Sequence, residues 1–237
     1  MSKTEIRALT FDVFGTVVDW RNSIAREVTT SPPLKELKID GFKFADAWRA
    51  LYQPSMEKVR QGDIGWVNLD ALHRINLNHL IDEFNLETLQ ERDLVHLNKV
   101  WHRLDPWPDS VAGMHRLKTN FILASLSNGN VSLILNMARR AGIPWDMILG
   151  AEIAGHYKPE PEAYRKSVEL LGLAPSQAMM VAAHNGDLVA ASDVGLRTAF
   201  IRRPKEYGPK QSMDIEPEHS FDFVADDLLD LAEQLDC

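Results

Sequence analysis

Short, almost purely apolar runs recur along the chain, and the intervals between them show the apolar spacing of amphipathic helices. Such runs are typical of strands buried on both faces of a parallel sheet. The predicted strands are residues 7–11, 121–126, 147–150, 178–183 and 197–201, and the predicted helices around them are 109–118, 130–141, 160–171, 188–194 and 225–235. This alternation predicts an α/β fold with a doubly wound, Rossmann-like parallel sheet.

The alternation stops between residue 22 and about residue 104, where no convincing strand pattern occurs. Amphipathic stretches at 44–60, 67–83 and 87–103 predict helices, separated by segments rich in Pro and Gly. The simplest interpretation is a helical-bundle cap inserted after the first strand. We therefore expect a core domain of residues 1–18 and 105–237 and a cap domain of residues 19–104.

Polar residues follow four of the predicted strands, where each apolar run ends. In a doubly wound sheet, ligands bind beyond these carboxyl ends, because loops and helix N-termini gather there. The four segments are Asp12-Val13-Phe14-Gly15-Thr16, Ser127-Asn128-Gly129-Asn130, His156-Tyr157-Lys158-Pro159 and His184-Asn185-Gly186-Asp187. They predict that two carboxylates, a lysine and several amide, hydroxyl and imidazole groups meet in one cleft.

This combination is typical of a nucleophilic active site. Asp12 is the expected nucleophile, and Lys158 the cation that keeps it ionised. Ser127 and Asn128 can donate hydrogen bonds to an anionic substrate at the start of a helix. Each segment alone could be an ordinary turn or a solvated loop. The active-site interpretation is favoured because all four segments fall on one edge of the sheet with complementary chemistry.

Composition narrows the classes of partner and compartment. A formal net charge of −8 over 237 residues disfavours nucleic acid and anionic membranes as partners, but allows a local pocket for a small anion. The single cysteine, Cys237, permits no internal disulfide and fits a reducing cytoplasm. We expect no signal peptide, membrane span or lipid anchor, because no apolar run is long enough.

The motifs resemble those of the haloacid dehalogenase superfamily, in order and over nearly the whole chain. They read FDVFGT, SLSNG, YKPEPEAY and MVAAHNGDLVAASDVG, and the insert resembles the four-helix cap of that superfamily. Within it, the chain most resembles the type II L-2-haloacid dehalogenases. That resemblance implies a hydrolase in which an aspartate attacks the halogen-bearing carbon and the resulting ester is then hydrolysed.

Many superfamily members are instead phosphatases that hold Mg²⁺, and they carry a second aspartate two positions after the nucleophile. Here that position is Phe14, and the fourth motif reads Val181-Ala182-Ala183 before its nearby carboxylate, Asp187. An oxygen-preferring cation would have too few ligands, and phosphoryl transfer normally depends on that cation. We therefore expect no cofactor and no metal. A magnesium-dependent phosphatase and a catalytically silent binding module remain the alternative functions.

The resemblance implies a short 2-haloalkanoate as substrate and assigns roles to particular residues. The predicted catalytic residues are Asp12, Thr16, Lys158, Asp187 and His184, with Asp187 activating water. The predicted substrate-binding residues are Phe14, Arg21, Ser127, Asn128, Tyr164 and Asn185. Arg21 is expected to bind the substrate carboxylate or the departing halide, because Phe42 stands where type II enzymes usually have arginine. Tyr164 matches a family tyrosine but could equally pack in the core.

Two further expectations concern the halogen and the assembly: the substrates could include fluorinated acids, and the protein could form a homodimer. His184 and Ala182 replace the asparagine and serine that the family often has in the fourth motif. Donors from His184, Asn185 and Arg21 could assist a departing fluoride. Type II relatives are commonly dimers, so a homodimer is possible.

Overall fold

The fold is described by a computed structural model covering residues 6–237. Six parallel strands form one sheet in the order β5-β4-β1-β6-β7-β8. They are β1 Ala8–Phe11, β4 Ile122–Ser127, β5 Met147–Gly150, β6 Ala178–Ala182, β7 Arg197–Ile201 and β8 Phe223–Ala225, while β2 Val18–Asp19 and β3 Asp105–Pro106 form a separate antiparallel pair. The predicted doubly wound α/β fold is confirmed.

Helices cover both faces of this sheet. They are α6 Ser110–Leu117, α7 Val131–Ala141, α8 Ala151–Ala154, α9 Pro161–Leu170, α10 Asn185–Asp193 and α11 Leu228–Gln234. Alternate residues of β6 enter different apolar clusters: Met179 and Val181 pack in one, Met180 and Ala182 in the other. Burial on both faces explains why the strands read as continuous apolar runs.

The last helix begins later in the structure than the sequence predicted. Residues Phe223–Ala225 pair with β7 as strand β8, and helix α11 begins only at Leu228. Asp227 caps that helix, since its side chain accepts hydrogen bonds from the backbone N–H groups of Leu229 and Asp230. The strand was missed because three residues are too short to show a period.

The insert is helical, as predicted. Its helices are α1 Trp20–Thr30, α2 Gly41–Ala50, α3 Tyr52–Arg60, α4 Leu69–His79 and α5 Glu91–Asn98, with short 3-10 segments at Leu34–Leu37 and Lys99–Arg103. The stretch 44–60 forms two helices rather than one, meeting at Leu51. Pro54 provides the reason, because it has no N–H to donate to the carbonyl of Ala50 and its ring would clash there.

A small antiparallel ribbon joins the insert to the sheet. Val18 lies opposite Pro106 and Asp19 opposite Asp105. The segment that leads into the insert and the segment that leads back to the sheet are therefore paired side by side. Two-residue strands leave no pattern in the sequence, and the ribbon was not predicted. Its position supports our proposal that the core comprises residues 1–18 and 105–237 and the cap residues 19–104.

Membrane insertion has no candidate segment in the described part of the chain. None of the helices within residues 6–237 combines the length and the apolar character that a bilayer span requires.

Candidate active site

The order of the strands brings the predicted loops together. Strand β1 is central: Phe11 pairs with Ser125 of β4 on one side and with Val181 of β6 on the other. The loops after β1, β4 and β6 therefore lie side by side at one edge of the sheet. The connection after β5 adds Lys158 to the same edge, where its Nζ reaches Asp12. This convergence is the one that alternating strands and helices predict.

Asp12 is almost completely buried, with 6% of its surface exposed, and three side chains contact its carboxylate. Lys158 Nζ donates to Oδ1 at 3.0 Å. Oδ2 accepts from the hydroxyl of Thr16 at 2.8 Å, and Nδ1 of His184 lies 3.2 Å from it. Thr16 is oriented in turn, since its oxygen accepts from the backbone N–H of Ala183.

Lys158 links the two predicted carboxylates. Its Nζ donates to Asp187 Oδ2 at 2.5 Å as well as to Asp12. The hydroxyl of Tyr164 donates to the other Asp187 oxygen at 2.5 Å. Tyr164 thus fits both predicted positions: its hydroxyl contacts the site, and its fully buried ring packs in the apolar core.

The charges of these groups follow from their neighbours. Burial by itself would raise the pKa of Asp12, but Lys158 and His184 outweigh it and hold that pKa below its usual range. Burial would likewise lower the pKa of Lys158, and the carboxylates of Asp12 and Asp187 raise it instead. Burial, with the nearby Asp12 charge, raises the pKa of Asp187. Asp12 is therefore an anion, and Asp187 is the more basic of the two carboxylates.

His184 lies between two carboxylates. Its Nε2 is 2.9 Å from Oε2 of Glu206, while its Nδ1 faces Asp12. Burial would lower the pKa of His184, but Glu206 and Asp12 raise it well above its ordinary value. Glu206, in the segment after β7, was missed by sequence reasoning. Its neighbours Lys205 and Tyr207 give no sign that its carboxylate is buried.

A cavity of about 520 Å³ opens over these groups. The cap contributes Arg49, Tyr52, Gln53 and Arg60 to its lining, and the core contributes Asp12, Phe14, Asn128, Lys158, Tyr164, His184 and Asp187 among others. The ring of Phe14 packs edge-on against Tyr52 and Trp101 of the cap. The predicted positions of Phe14 and Asn128 in the cleft agree with this lining.

Two cap arginines line the cavity, and of these Arg60 is engaged with Glu57 and the carbonyl of Lys158. Sequence reasoning used the other, Arg49, only as an alignment marker. Its guanidinium lies 4.1 Å from the centre of the Tyr52 ring. Burial would lower the pKa of Arg49, but Tyr207, Tyr52 and Glu206 raise it, so the group is charged. Its Nη1 is buried and has no hydrogen-bond partner among residues 6–237. An anionic ligand would satisfy that donor.

Arg21 does not occupy the position predicted for it. Its Nε and Nη2 donate to both oxygens of Asp46 at 2.6 and 2.7 Å, and its guanidinium lies over the ring of Phe42. Arg21 is absent from the lining of the cavity. The prediction that it binds substrate is corrected, because this bidentate pair holds the guanidinium against Asp46 of helix α2 rather than in the cavity.

The predicted substrate-binding roles of Ser127 and Asn185 are also corrected, since neither residue lines the cavity. The hydroxyl of Ser127 is fully buried and accepts from the backbone N–H of Gly129, which shapes the turn after β4. The amide of Asn185 donates to Asp214 at 3.0 Å and accepts from the backbone N–H of Glu218. Both polar groups support local backbone rather than a ligand.

The residues present do not fit a magnesium ion. Mg²⁺ requires several oxygen ligands without competing cations. Lys158 already bridges the carboxylates of Asp12 and Asp187, and His184 faces the second oxygen of Asp12. Within residues 6–237, no group of three or more His, Cys, Asp or Glu side chains is arranged to hold a metal.

Comparison with known proteins identifies the family. A model of haloacid dehalogenase-like hydrolases matches residues 6–195. The solved structure of an L-2-haloacid dehalogenase is 50% identical, with 97% of this chain and 99% of that chain covered and a TM-score of 0.92. That of a defluorinating L-2-haloacid dehalogenase is 49% identical, covering 98% and 96%, with a TM-score of 0.95. (S)-2-haloacid dehalogenase 4A of Burkholderia cepacia is 26% identical over 85% of this chain and 87% of that protein. The chain belongs to the haloacid dehalogenase-like hydrolases.

Proposed function

We propose that this protein is a hydrolytic dehalogenase that converts short L-2-haloalkanoates and water into 2-hydroxy acids and halide. The observation that carries the proposal is the setting of Asp12, a buried anion held by Lys158 beneath a cavity whose cap side presents Arg49. A fixed carboxylate below a cationic clamp suits displacement at a carbon next to a carboxylate. The identities of about 50% with two L-2-haloacid dehalogenases support the same substrate class.

In the first step, a carboxylate oxygen of Asp12 attacks C2 of the substrate. The new oxygen–carbon bond forms as the carbon–halogen bond breaks, and the halide leaves with the bonding pair. In-line attack inverts C2. Arg49 holds the substrate carboxylate, and the Phe14 ring with Tyr52 excludes water around the reacting carbon.

In the second step, water hydrolyses the ester on Asp12. Asp187 is the base, because its pKa is raised and Lys158 contacts both its carboxylate and that of Asp12, which keeps the two close together. Water attacks the carboxyl carbon of Asp12, and the ester bond breaks to release the 2-hydroxy acid. Tyr164 and Lys158 hold Asp187 in place.

Phosphatase chemistry is disfavoured by two features of the site. Phe14 occupies the position of the second aspartate, and its ring packs in an aromatic contact with Trp101. No acid is therefore available there to protonate a leaving oxygen. A halide needs no proton to leave, which suits this site.

Removal of the Arg49 charge is expected to weaken substrate binding. Because a hydrogen bond between charged groups contributes about 1.5–3 kcal/mol, the Arg49→Met variant should raise KM for 2-chloropropionate about 10- to 100-fold. Steady-state halide release measures the effect. Arg92→Met, at a highly exposed arginine, is the control and should leave KM unchanged. A normal KM in Arg49→Met together with a raised KM in Arg21→Met would restore the original prediction for Arg21.

The proposed activity is tested by incubating the purified protein with fluoroacetate, chloroacetate and each enantiomer of 2-chloropropionate. We expect halide from chloroacetate and from the L enantiomer, and none from the D enantiomer. We also expect fluoride from fluoroacetate, since Arg49 places a charged donor at the cavity and the chain is 49% identical to a defluorinating L-2-haloacid dehalogenase. A panel without any halide release, together with magnesium-dependent phosphate release from an aryl phosphate, would establish the phosphatase alternative.

Location and assembly remain predictions. A cytoplasmic location is supported by a cysteine count of one, and a homodimer by the resemblance to type II enzymes. Size-exclusion chromatography with light scattering would measure the mass of the assembly.

A further inference from the structure

Glu206 is a buried carboxylate that touches the catalytic loop without lining the cavity. Only 1% of its surface is exposed. It accepts a hydrogen bond from Nε1 of Trp20 at 3.0 Å and lies 2.9 Å from Nε2 of His184. Gly15 makes room for it, because a Cβ at Gly15 would overlap the carboxylate of Glu206. Burial of such a charge is costly unless it is paired, and His184 is its cationic partner.

The geometry favours a proton on both ring nitrogens of His184. Each nitrogen faces a carboxylate oxygen, Nδ1 that of Asp12 and Nε2 that of Glu206. An unprotonated nitrogen would direct its lone pair at an anionic acceptor. Asp12, Glu206 and Tyr207 lie beside this imidazole. The other charged and titratable groups that line the same cavity come from the core and from cap helices α2 and α3: Lys158, Tyr164, Asp187, Asp214, Arg49, Tyr52 and Arg60.

The two oxygens of Asp12 have different partners. Oδ2 accepts from Thr16 and faces Nδ1 of His184, whereas Oδ1 contacts only Lys158 among the described side chains. An oxygen with one donor keeps a lone pair for attack. An oxygen with two donors is already placed where negative charge would be stabilised.

Building on the dehalogenase function proposed above, we propose that Glu206 is a positioning residue that holds His184 as an imidazolium, so that His184 and Thr16 form an oxyanion site around Oδ2 of Asp12. Oδ1 is then the oxygen that attacks C2 and becomes the ester oxygen. His184 acts as a fixed donor in ester hydrolysis, and the base is Asp187.

Hydrolysis of the ester then proceeds through an oxyanion on Oδ2. The water oxygen bonds to the carboxyl carbon of Asp12 while its proton passes to Asp187, and the carbonyl pair moves to Oδ2. The oxyanion is held by His184 Nδ1–H and the Thr16 hydroxyl. When it collapses, the bond from that carbon to Oδ1 breaks, and the bonding pair leaves on the oxygen that was Oδ1. The departing alkoxide takes the proton from Asp187, and the second proton of the water is released to solvent, so that Asp12 is left ionised with the water oxygen in its carboxylate.

Glu206 is needed most at the ester stage. Esterification neutralises Asp12, so His184 loses one of its two carboxylate partners just before its proton is required. Glu206 remains and keeps the imidazole charged. The neutral amide of a Glu206→Gln variant would instead let the pKa of His184 fall. Its proton, and the oxyanion donor, would then be present at low pH and lost as the pH rises.

The Glu206→Gln variant tests this role when the two chemical steps are measured separately by rapid quench with L-2-chloropropionate. We expect the first-turnover halide burst to be retained. Ester hydrolysis should be slowed a few-fold at about pH 6 and about 10²-fold at about pH 9, in line with loss of one oxyanion donor. Glu216→Gln, at an exposed glutamate of the same segment, is the control and should match the parent protein. Equal slowing of both steps at every pH, or no slowing, would overturn the proposal.

A measurement on the unmutated protein does not depend on how the variant folds. Proton–nitrogen NMR of ¹⁵N-histidine-labelled protein should show two ring N–H groups for His184 up to about pH 9, assigned by their loss in His184→Asn. A single ring N–H at about pH 8 would refute the imidazolium. If both protons are present but no haloacid yields halide, the dehalogenase function fails while the ion pair stands.

Discussion

Replacement of Asp12 by Asn is expected to abolish dehalogenation, with halide release falling by at least about 10⁴-fold, as for loss of other catalytic nucleophiles. An amide is a poor nucleophile, and it lacks the negative charge that Lys158 and His184 hold in place. Ion chromatography of released halide from L-2-chloropropionate measures the loss. Mass spectrometry of the Asp12 peptide from the unmutated protein, quenched during turnover, should show the substrate carbon skeleton attached as an ester.

The control for this change is Asp226→Asn. Asp226 is highly exposed and pairs with Arg202 on the surface, so its loss should leave halide release unchanged. Circular dichroism should show both variants folded. Activity retained in Asp12→Asn, with the amide verified by mass spectrometry, would contradict Asp12 as nucleophile. A binding module would show no turnover in either protein.

Replacement of Asp187 by Asn is expected to separate the two chemical steps. Asp12 keeps its contacts with Lys158, Thr16 and His184, so the first step should still release about one halide per site. Ester hydrolysis should slow by about 10²- to 10⁴-fold, because a general base is lost. Rapid-quench halide measurement with intact-protein mass spectrometry follows both events.

The outcome of the Asp187→Asn experiment distinguishes two possible bases. Accumulation of the ester on Asp12 would support Asp187 as base. Steady turnover close to that of the parent protein would contradict it and indicate another group, such as His184. Asp193→Asn, at an aspartate near the end of the same helix α10 that plays no part in the proposed site, is the matched control.

Much of the site was predictable because its residues follow strands. Asp12, Asn128 and His184 stand directly or almost directly beyond β1, β4 and β6, and the parallel sheet places these ends together. Thr16 and Asp187 each lie five residues beyond the ends of their strands, whereas Lys158 lies eight residues beyond β5, after the short helix α8. Chain proximity to a strand end therefore indicated their location, and the resemblance supplied their roles.

The residues that were misplaced or missed depend on packing between distant segments. Arg21 is close to the catalytic loop in sequence, but Asp46 of helix α2 holds its guanidinium elsewhere. Arg49 is far from every strand end, yet its helix carries it to the cavity. Asn185 is turned toward the segment at 214–218, which follows strand β7.

The sequence by itself determined the alternating α/β core, the helical insert and the position of Asp12 in the loop after β1, because apolar periodicity and strand-end chemistry are local properties of the chain. Only the tertiary structure decided that Arg49 rather than Arg21 faces the cavity, that Glu206 is buried beside His184, and that the two oxygens of Asp12 differ in their donors. These features depend on residues that are far apart in the sequence, such as Asp12 and Glu206, which both contact His184. Such contacts form only when the sheet and cap have packed, since burial and charge pairing depend on neighbours in space rather than along the chain.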